Sequence, residues 1–198
     1  MFDNDPDGAT PIDLEEAADL LPQHIQTRDQ LNTWEQENIL FAAKWSLTVR
    51  DSIVNDSKLR ELHLRMFDRT WKWAGLYRKS DKNIGVPWAT ISTEVRILMQ
   101  DAKYWIENKT YSVDEAAARL HHRLVLIHPF PNGNGRHSRL WADTILRQNN
   151  RPPFKWKNTD LDHKTSARQA YISALRAADL NDYSLLLELL LTGRPPVQ

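Results

Sequence analysis

The sequence predicts an all-α domain, a helical bundle with one small β-hairpin flap. Three observations predict it. Apolar residues return with a period near 3.6 over most of the chain. Ser, Thr or Asp stands three residues ahead of Glu or Gln at several helix starts, the spacing of a capping box. Only the segment 75–90, with Gly75, Gly85 and Pro87, alternates instead. The 198 residues, 41% hydrophobic and 26% charged, suit one domain built on one core.

The elements follow in chain order. The first ten residues are polar, with Pro6 and Gly8, and read as a surface arm. Asp13 and Glu16 cap a short helix that Pro22 ends, so residues 1–26 form an arm and a helix ahead of the main domain, 27–198. Thr27 and Gln30 cap the next helix, over 27–50, with Leu31, Trp34, Phe41, Trp45 and Val49 as its apolar stripe. A turn at Asn55-Asp56-Ser57 precedes a helix from Lys58 to Trp73, with Leu59, Leu62, Met66 and Phe67 inward. After the flap, helices are expected over Ile91–Asn108 and, capped by Ser112 and Glu115, up to Ile127. A loop from His128 opens into a helix from Asn134 to Gln148, broken by Asn149-Asn150-Arg151-Pro152-Pro153. Helices over His163–Ala178 and Asp182–Leu191 complete the chain, stopped by Gly193 and Pro195-Pro196.

Composition narrows the function. Lys plus Arg equals Asp plus Glu at 26 each, which argues against a long nucleic-acid duplex as the main partner. A small anion held by two or three arginines fits the same balance. The absence of cysteine excludes disulfides, zinc–thiolate sites and cysteine nucleophiles. The longest apolar run, Leu185–Leu187 and Leu189–Leu191 around Glu188, is far short of the roughly 20 residues of a membrane span. The acidic start, Met1-Phe2-Asp3-Asn4-Asp5, does not read as a signal peptide, so a cytoplasmic protein is expected.

One segment carries chemistry: His128-Pro129-Phe130-Pro131-Asn132-Gly133-Asn134-Gly135-Arg136-His137-Ser138-Arg139. Pro129 ends the preceding helix at Ile127 or His128. Gly133 and Gly135 flank Asn134, so the loop can turn tightly and expose N–H groups that lead into a helix N-terminus, which attracts phosphate. Arg136 and Arg139, three apart, share one face of that helix, and arginine suits forked contacts to phosphate oxygens. His128, at the cradle's edge, suits proton transfer near neutrality. A base, an anion cradle and two guanidiniums together describe phosphoryl or nucleotidyl transfer. No Gly-Lys-Ser/Thr follows, so this is not a Walker-type loop.

The segment resembles the signature of Fic proteins, His-x-Phe-x-Asp/Glu-Gly-Asn-Gly-Arg-x-x-Arg. Seven fixed positions agree, and chance agreement is on the order of one in a billion per start site. Trp73-Ala74-Gly75-Leu76-Tyr77-Arg78 resembles the family's approach to its flap, and Lys79–Trp88 would be that flap, a hairpin that holds a target segment by backbone pairing. The resemblance spans roughly Leu31–Leu191 and implies a Fic fold. The whole chain resembles the short bacterial Fic proteins called mobile mystery protein B, which accompany a helix-turn-helix protein.

The resemblance implies a protein adenylyltransferase that moves AMP from ATP to a Ser, Thr or Tyr hydroxyl. His128 would be the base, Phe130 an apolar anchor of the loop, and Gly133, Asn134 and Gly135 the anion hole. Arg136 would hold the β-phosphate and Arg139 the γ-phosphate. Asn132 stands where the family mostly has a magnesium-binding Asp or Glu. An amide oxygen can coordinate Mg²⁺ but brings no charge, which lowers metal affinity and opens the alternatives of a kinase, another transferase or a weakly active nucleotide-binding module.

Many Fic proteins carry a brake, Ser/Thr-x-x-x-Glu-Gly/Asn, which Thr33-Trp34-Glu35-Gln36-Glu37-Asn38 matches. Glu37 follows Trp34 by three residues and precedes Phe41 by four, which predicts a place at the border of the buried face. The resemblance supplies Arg139 as its partner, an ion pair that would occupy the γ-phosphate site.

Other features carry less. Asp3-x-Asp5-x-Asp7-Gly8 copies the start of an EF-hand loop, but Leu14 stands where the closing Glu is needed. His121 and His122 are adjacent and point apart, and His24, His63 and His163 lack ligand spacing. His137, at a variable signature position, receives no role. Most tryptophans read as core, with Trp88 in the flap placed to touch substrate.

Overall fold

The computed structural model describes residues 12–156 and 166–194. The polar arm over 1–10, the Asp3–Asp5–Asp7 repeat, His163 and Pro195-Pro196 lie outside the described residues. Within them the helices run α1 (Leu14–Ala17), α2 (Arg28–Ser46), α3 (Asp56–Phe67), α4 (Ile91–Glu107), α5 (Val113–Ile127), α6 (Asn134–Gln148), α7 (Ser166–Asp179) and α8 (Ser184–Leu191). Capping pairs fix the first two starts: Asp13 with Glu16 and Thr27 with Gln30 form reciprocal boxes. Asn55 and Ser112 cap α3 and α5 with their side chains.

The core lies where α5 meets α4, α6 and α8, with α2 laid on α3. Ala116, Ala117 and Ala118 let neighbours approach α5 closely, and Leu120, Leu124 and Ile127 continue its buried face. α6 answers with Trp141, Ala142, Ile145 and Leu146, all buried.

Two elements depart from expectation. α3 stops at Phe67, short of Trp73, because Thr70 and Trp71 both donate their N–H groups to the Phe67 carbonyl and turn the chain. That turn stacks Trp71 on Trp73 at 4.9 Å and bridges Trp71 to Leu20, which fastens the N-terminal segment to the domain. On α2 the buried residues are Leu31, Glu35, Asn38, Ala42 and Ser46, while Phe41 is exposed. The helix is therefore rotated from the phase that Phe41 suggested, and a carboxylate sits in its buried stripe.

The flap is present but carries no strand among the described residues. Arg78, whose side chain is fully buried, donates instead to the carbonyls of Ser80 and Val86 on its two stems and to His128. One guanidinium thus takes inward carbonyls that a hairpin would spend on a cross-strand ladder. No helix among the described residues is long and apolar enough to cross a membrane.

Candidate active site

α5 ends in a left-handed residue, His128, with φ 53° and ψ 60°. For a non-glycine residue this conformation is held by its surroundings. Pro129 follows it, Arg78 Nε donates to its carbonyl at 2.7 Å, and the Arg78 N–H donates to the Pro129 carbonyl at 3.0 Å. His128 is only 6% exposed. Burial, aided by the Arg78 and Lys82 cations, pushes its pKa down to about 4, so the ring is neutral at pH 7 and holds a lone pair that can accept a proton.

The flap causes that burial. A Cβ added at Gly85, where φ is +107°, would stand 2.7 Å from the His128 Cβ. The Val86 N–H donates to the Ile127 carbonyl at 3.3 Å. From the flap, Lys82 reaches Asp13 at 3.0 Å and Glu16 at 2.6 Å, and its side chain is 6% exposed. The capping box of α1 therefore straps the flap down over His128. Trp88 stands at 48% exposure on the rim.

The loop after His128 is built on Phe130, which is wholly buried and stacks on His63 at 3.7 Å. The Gly75 N–H donates to His63 Nδ1, so the ring's proton lies on Nε2, which donates to the Asn132 carbonyl at 3.1 Å. Asn134 closes the loop with its amide: Oδ1 accepts from the Phe130 N–H and Nδ2 donates to the Phe130 carbonyl. Its side chain is thus committed to the fold, and only its backbone is left to form a cradle. At Gly133, with φ +78°, a Cβ would lie 2.4 Å from the Phe67 ring, so nothing larger fits. Gly133 caps α6 without any side-chain hydrogen bond, which leaves the first N–H groups of a 15-residue helix open to an anion.

The two arginines are held differently. Arg136 Nη1 meets Glu35 Oε2 at 2.7 Å, Nη2 donates to Asn132 Oδ1 at 3.3 Å, and the guanidinium lies over the Phe67 ring. The other oxygen of Glu35 accepts from Trp71 Nε1 at 2.7 Å, and the carboxylate is 2% exposed. Arg139 extends past Gly135, its Nη1 3.7 Å from the place of a Cβ there. The expected pair of Glu37 with Arg139 is corrected accordingly: Glu37 is exposed on α2, and the carboxylate that reaches the signature is Glu35, on Arg136. Two residues shift the position by about 200° around a helix, enough to exchange the buried face for solvent.

Residues 53–146 match the model of the Fic/DOC family. Over that stretch the chain is similar to Fic proteins. It is 30% identical over 112 residues to the protein adenylyltransferase Fic of Aedes aegypti, a match that covers 54% of this chain and 22% of that one. The chain thus spans well under a third of that relative's length. The fold resembles the Fic domain of Bep8 from Bartonella sp. 1-1C, with a TM-score of 0.69 and 18% identity over 87% of this chain and 88% of that one. It also resembles BepC of Bartonella tribocorum, solved with bound AMPPNP, with a TM-score of 0.66 and 17% identity over 88% and 90% of the two chains.

Four residues of this site are not legible in the sequence. Glu35 was hidden beside Glu37, and only the true phase of α2 separates them. His63 lacks ligand spacing because its partners are two backbone groups. Arg78 was read as part of the approach to the flap, not as its clasp. Lys82 reads as one more surface cation until α1 is placed against it. Asn132 brings one neutral amide oxygen that already accepts from Arg136, and no group of metal-binding side chains accompanies it among the described residues. That donor set suits a single contact to an ion carried on a nucleotide's phosphates and does not suit a resident metal.

Proposed function

We propose that this chain is a Fic-type protein adenylyltransferase, moving AMP from ATP to a Ser, Thr or Tyr hydroxyl of a target protein. The observation that carries the reading is the pairing of a neutral buried histidine with an uncapped helix N-terminus flanked by two arginines. His128 takes the proton of the target hydroxyl as that oxygen attacks the α-phosphorus. The bond from that phosphorus to the bridging oxygen breaks, and pyrophosphate leaves with its charge spread over Arg136 and Arg139. The N–H groups of Asn134 and Gly135 face the phosphates in a site fixed before the nucleotide arrives. Asn132 Oδ1 would hold a Mg²⁺ ion brought with the nucleotide, which would supply positive charge to the phosphates. The name carried by the mosquito relative supports this choice of reaction over the kinase alternative.

Autoinhibition belongs to the same reading, with Glu35 as the brake. Its ion pair holds Arg136 within the protein. Removing one partner of a buried pair costs on the order of 3–5 kcal/mol, so a phosphate must replace Glu35 at the guanidinium. A cytoplasmic setting and a helix-turn-helix companion, the latter implied by the likeness to mobile mystery protein B, are proposed alongside.

The experiment is His128→Ala, followed by AMP transfer and by ATP binding. Transfer is expected to vanish while ATP affinity stays within a few-fold of the parent. Transfer that survives the substitution contradicts the assigned base.

A further inference from the structure

A cavity of about 450 Å³ opens between the start of α3 and the first turns of α4, and no residue of the signature lines it. Its volume falls in the range of small-molecule sites, roughly 300–1,000 Å³. One part of its wall is apolar: Met99, which is 7% exposed, with Val54 and the ring of Tyr77. The other part is a polar stripe. Ser92, Arg96, Gln100 and Lys103 line the cavity at a spacing that puts them on one face of α4.

The charges in this cavity are unbalanced. Arg60, Arg96 and Lys103 are cations, and Asp56 is the one acid in the lining. That acid is already used, because it accepts from the Tyr77 hydroxyl. Arg60 is fixed by its Nε, which donates to the Gly75 carbonyl at 3.0 Å, and its guanidinium lies 5.5 Å from the Tyr77 ring centre. Its two Nη groups take no partner among the described residues, so they are held in place and still available to a ligand. Arg96 makes no hydrogen bond or ion pair with any described residue. Lys103 meets Glu107 at 3.7 Å, with both side chains well exposed, a pairing worth little in water. A neutral ligand would leave these cations unanswered, and a bare inorganic anion would leave the apolar wall wet. A ligand with both an apolar body and an anionic head satisfies the two halves together.

We infer that this cavity is a binding site for a small organic anion, with its apolar body on Met99, Val54 and Tyr77 and its carboxylate or phosphate head on Arg60 and Arg96. The inference does not depend on the proposed AMP transfer.

The test is an amide NMR titration of the full chain with naphthoate, naphthyl phosphate, the neutral naphthamide and inorganic phosphate, with Arg96→Gln beside the parent. Naphthoate and naphthyl phosphate should shift amides over 92–103 and bind at least tenfold tighter than naphthamide. Whichever of the two binds tighter names the head that the cavity prefers. Inorganic phosphate at the same concentration should leave those amides in place. Arg96 is exposed and unpaired among the described residues, so Arg96→Gln should keep the parent's melting temperature. It should weaken naphthoate about tenfold, the loss expected for a hydrogen bond to a charged group, and leave naphthamide unchanged. Equal affinity for naphthoate and naphthamide, or an Arg96→Gln variant that binds naphthoate as the parent does, overturns the site. So do shifts confined to the signature loop over 133–139. Inorganic phosphate that moves the 92–103 amides as strongly as naphthoate overturns the role of the apolar wall.

Discussion

At the scale of single residues, the site is decided by which atoms are already taken. Asn134 spends its amide on Phe130, and His63 spends both ring nitrogens on Gly75 and Asn132. Arg136 is shared between Glu35 and Asn132. Glu35→Gln keeps an acceptor for Trp71 but removes the charge that holds Arg136. It should raise transfer at least tenfold and tighten ATP binding, whereas Glu37→Gln, on the exposed side of α2, should change neither. An effect from Glu37→Gln with none from Glu35→Gln would return the brake to Glu37. Asn132→Asp adds a charge beside Arg136 and a harder ligand for Mg²⁺. Its magnesium half-saturation should move several-fold lower in a titration of transfer activity.

At the scale of elements, the flap is a strap rather than a hairpin. Arg78 clamps both stems, Gly85 lies against His128, and Lys82 ties the whole to α1. A target hydroxyl can meet His128 only when that strap loosens. Lys82→Met should speed amide hydrogen exchange over 79–87 and increase carbethoxylation of His128, both read by peptide mass spectrometry. Flap exchange that stays at the parent rate would show that Arg78 alone holds it closed. The sequence revealed the helices here far better than their rotation. Capping boxes at Asp13–Glu16 and Thr27–Gln30 are local hydrogen bonds and were legible as written. The phase of α2 was not, because Phe41 is an exposed aromatic whose ring lies under the Arg69 guanidinium. Tertiary contact decided it, and with it which glutamate meets the signature. Likewise, the loop was legible as an anion cradle from its glycines and arginines, whereas its support by His63 comes from a residue far away in the chain.

At the scale of the whole molecule, the buried histidines set the response to acid. Burial lowers the pKa of His63, His121, His122, His128 and His137. Unfolded, each takes a proton near pH 6.5; folded, His128 and His137 refuse it until about 4 and His121 until about 3. The unfolded chain therefore binds more protons in that window, and stability falls as pH drops below 6.5, by up to about 1.4 kcal/mol per pH unit for each histidine. Asp143, pushed up to about 6 by burial, acts in the opposite sense as one group against five. The melting temperature should hold from pH 8 to 7 and drop by several degrees between pH 6.5 and 5. A flat profile there would contradict the neutral, buried state assigned to these rings.

The proposed reaction moves AMP, not phosphate, from ATP to protein. Transfer of label from α-labelled and γ-labelled ATP, with Mg²⁺ and the Glu35→Gln variant, tests it most directly. The chain itself and a cell lysate serve as acceptors, and His128→Ala in the same background is the control. Protein labelled from the α-position alone, and lost with His128→Ala, is the expected result. Label from the γ-position alone would make the domain a kinase and contradict the account.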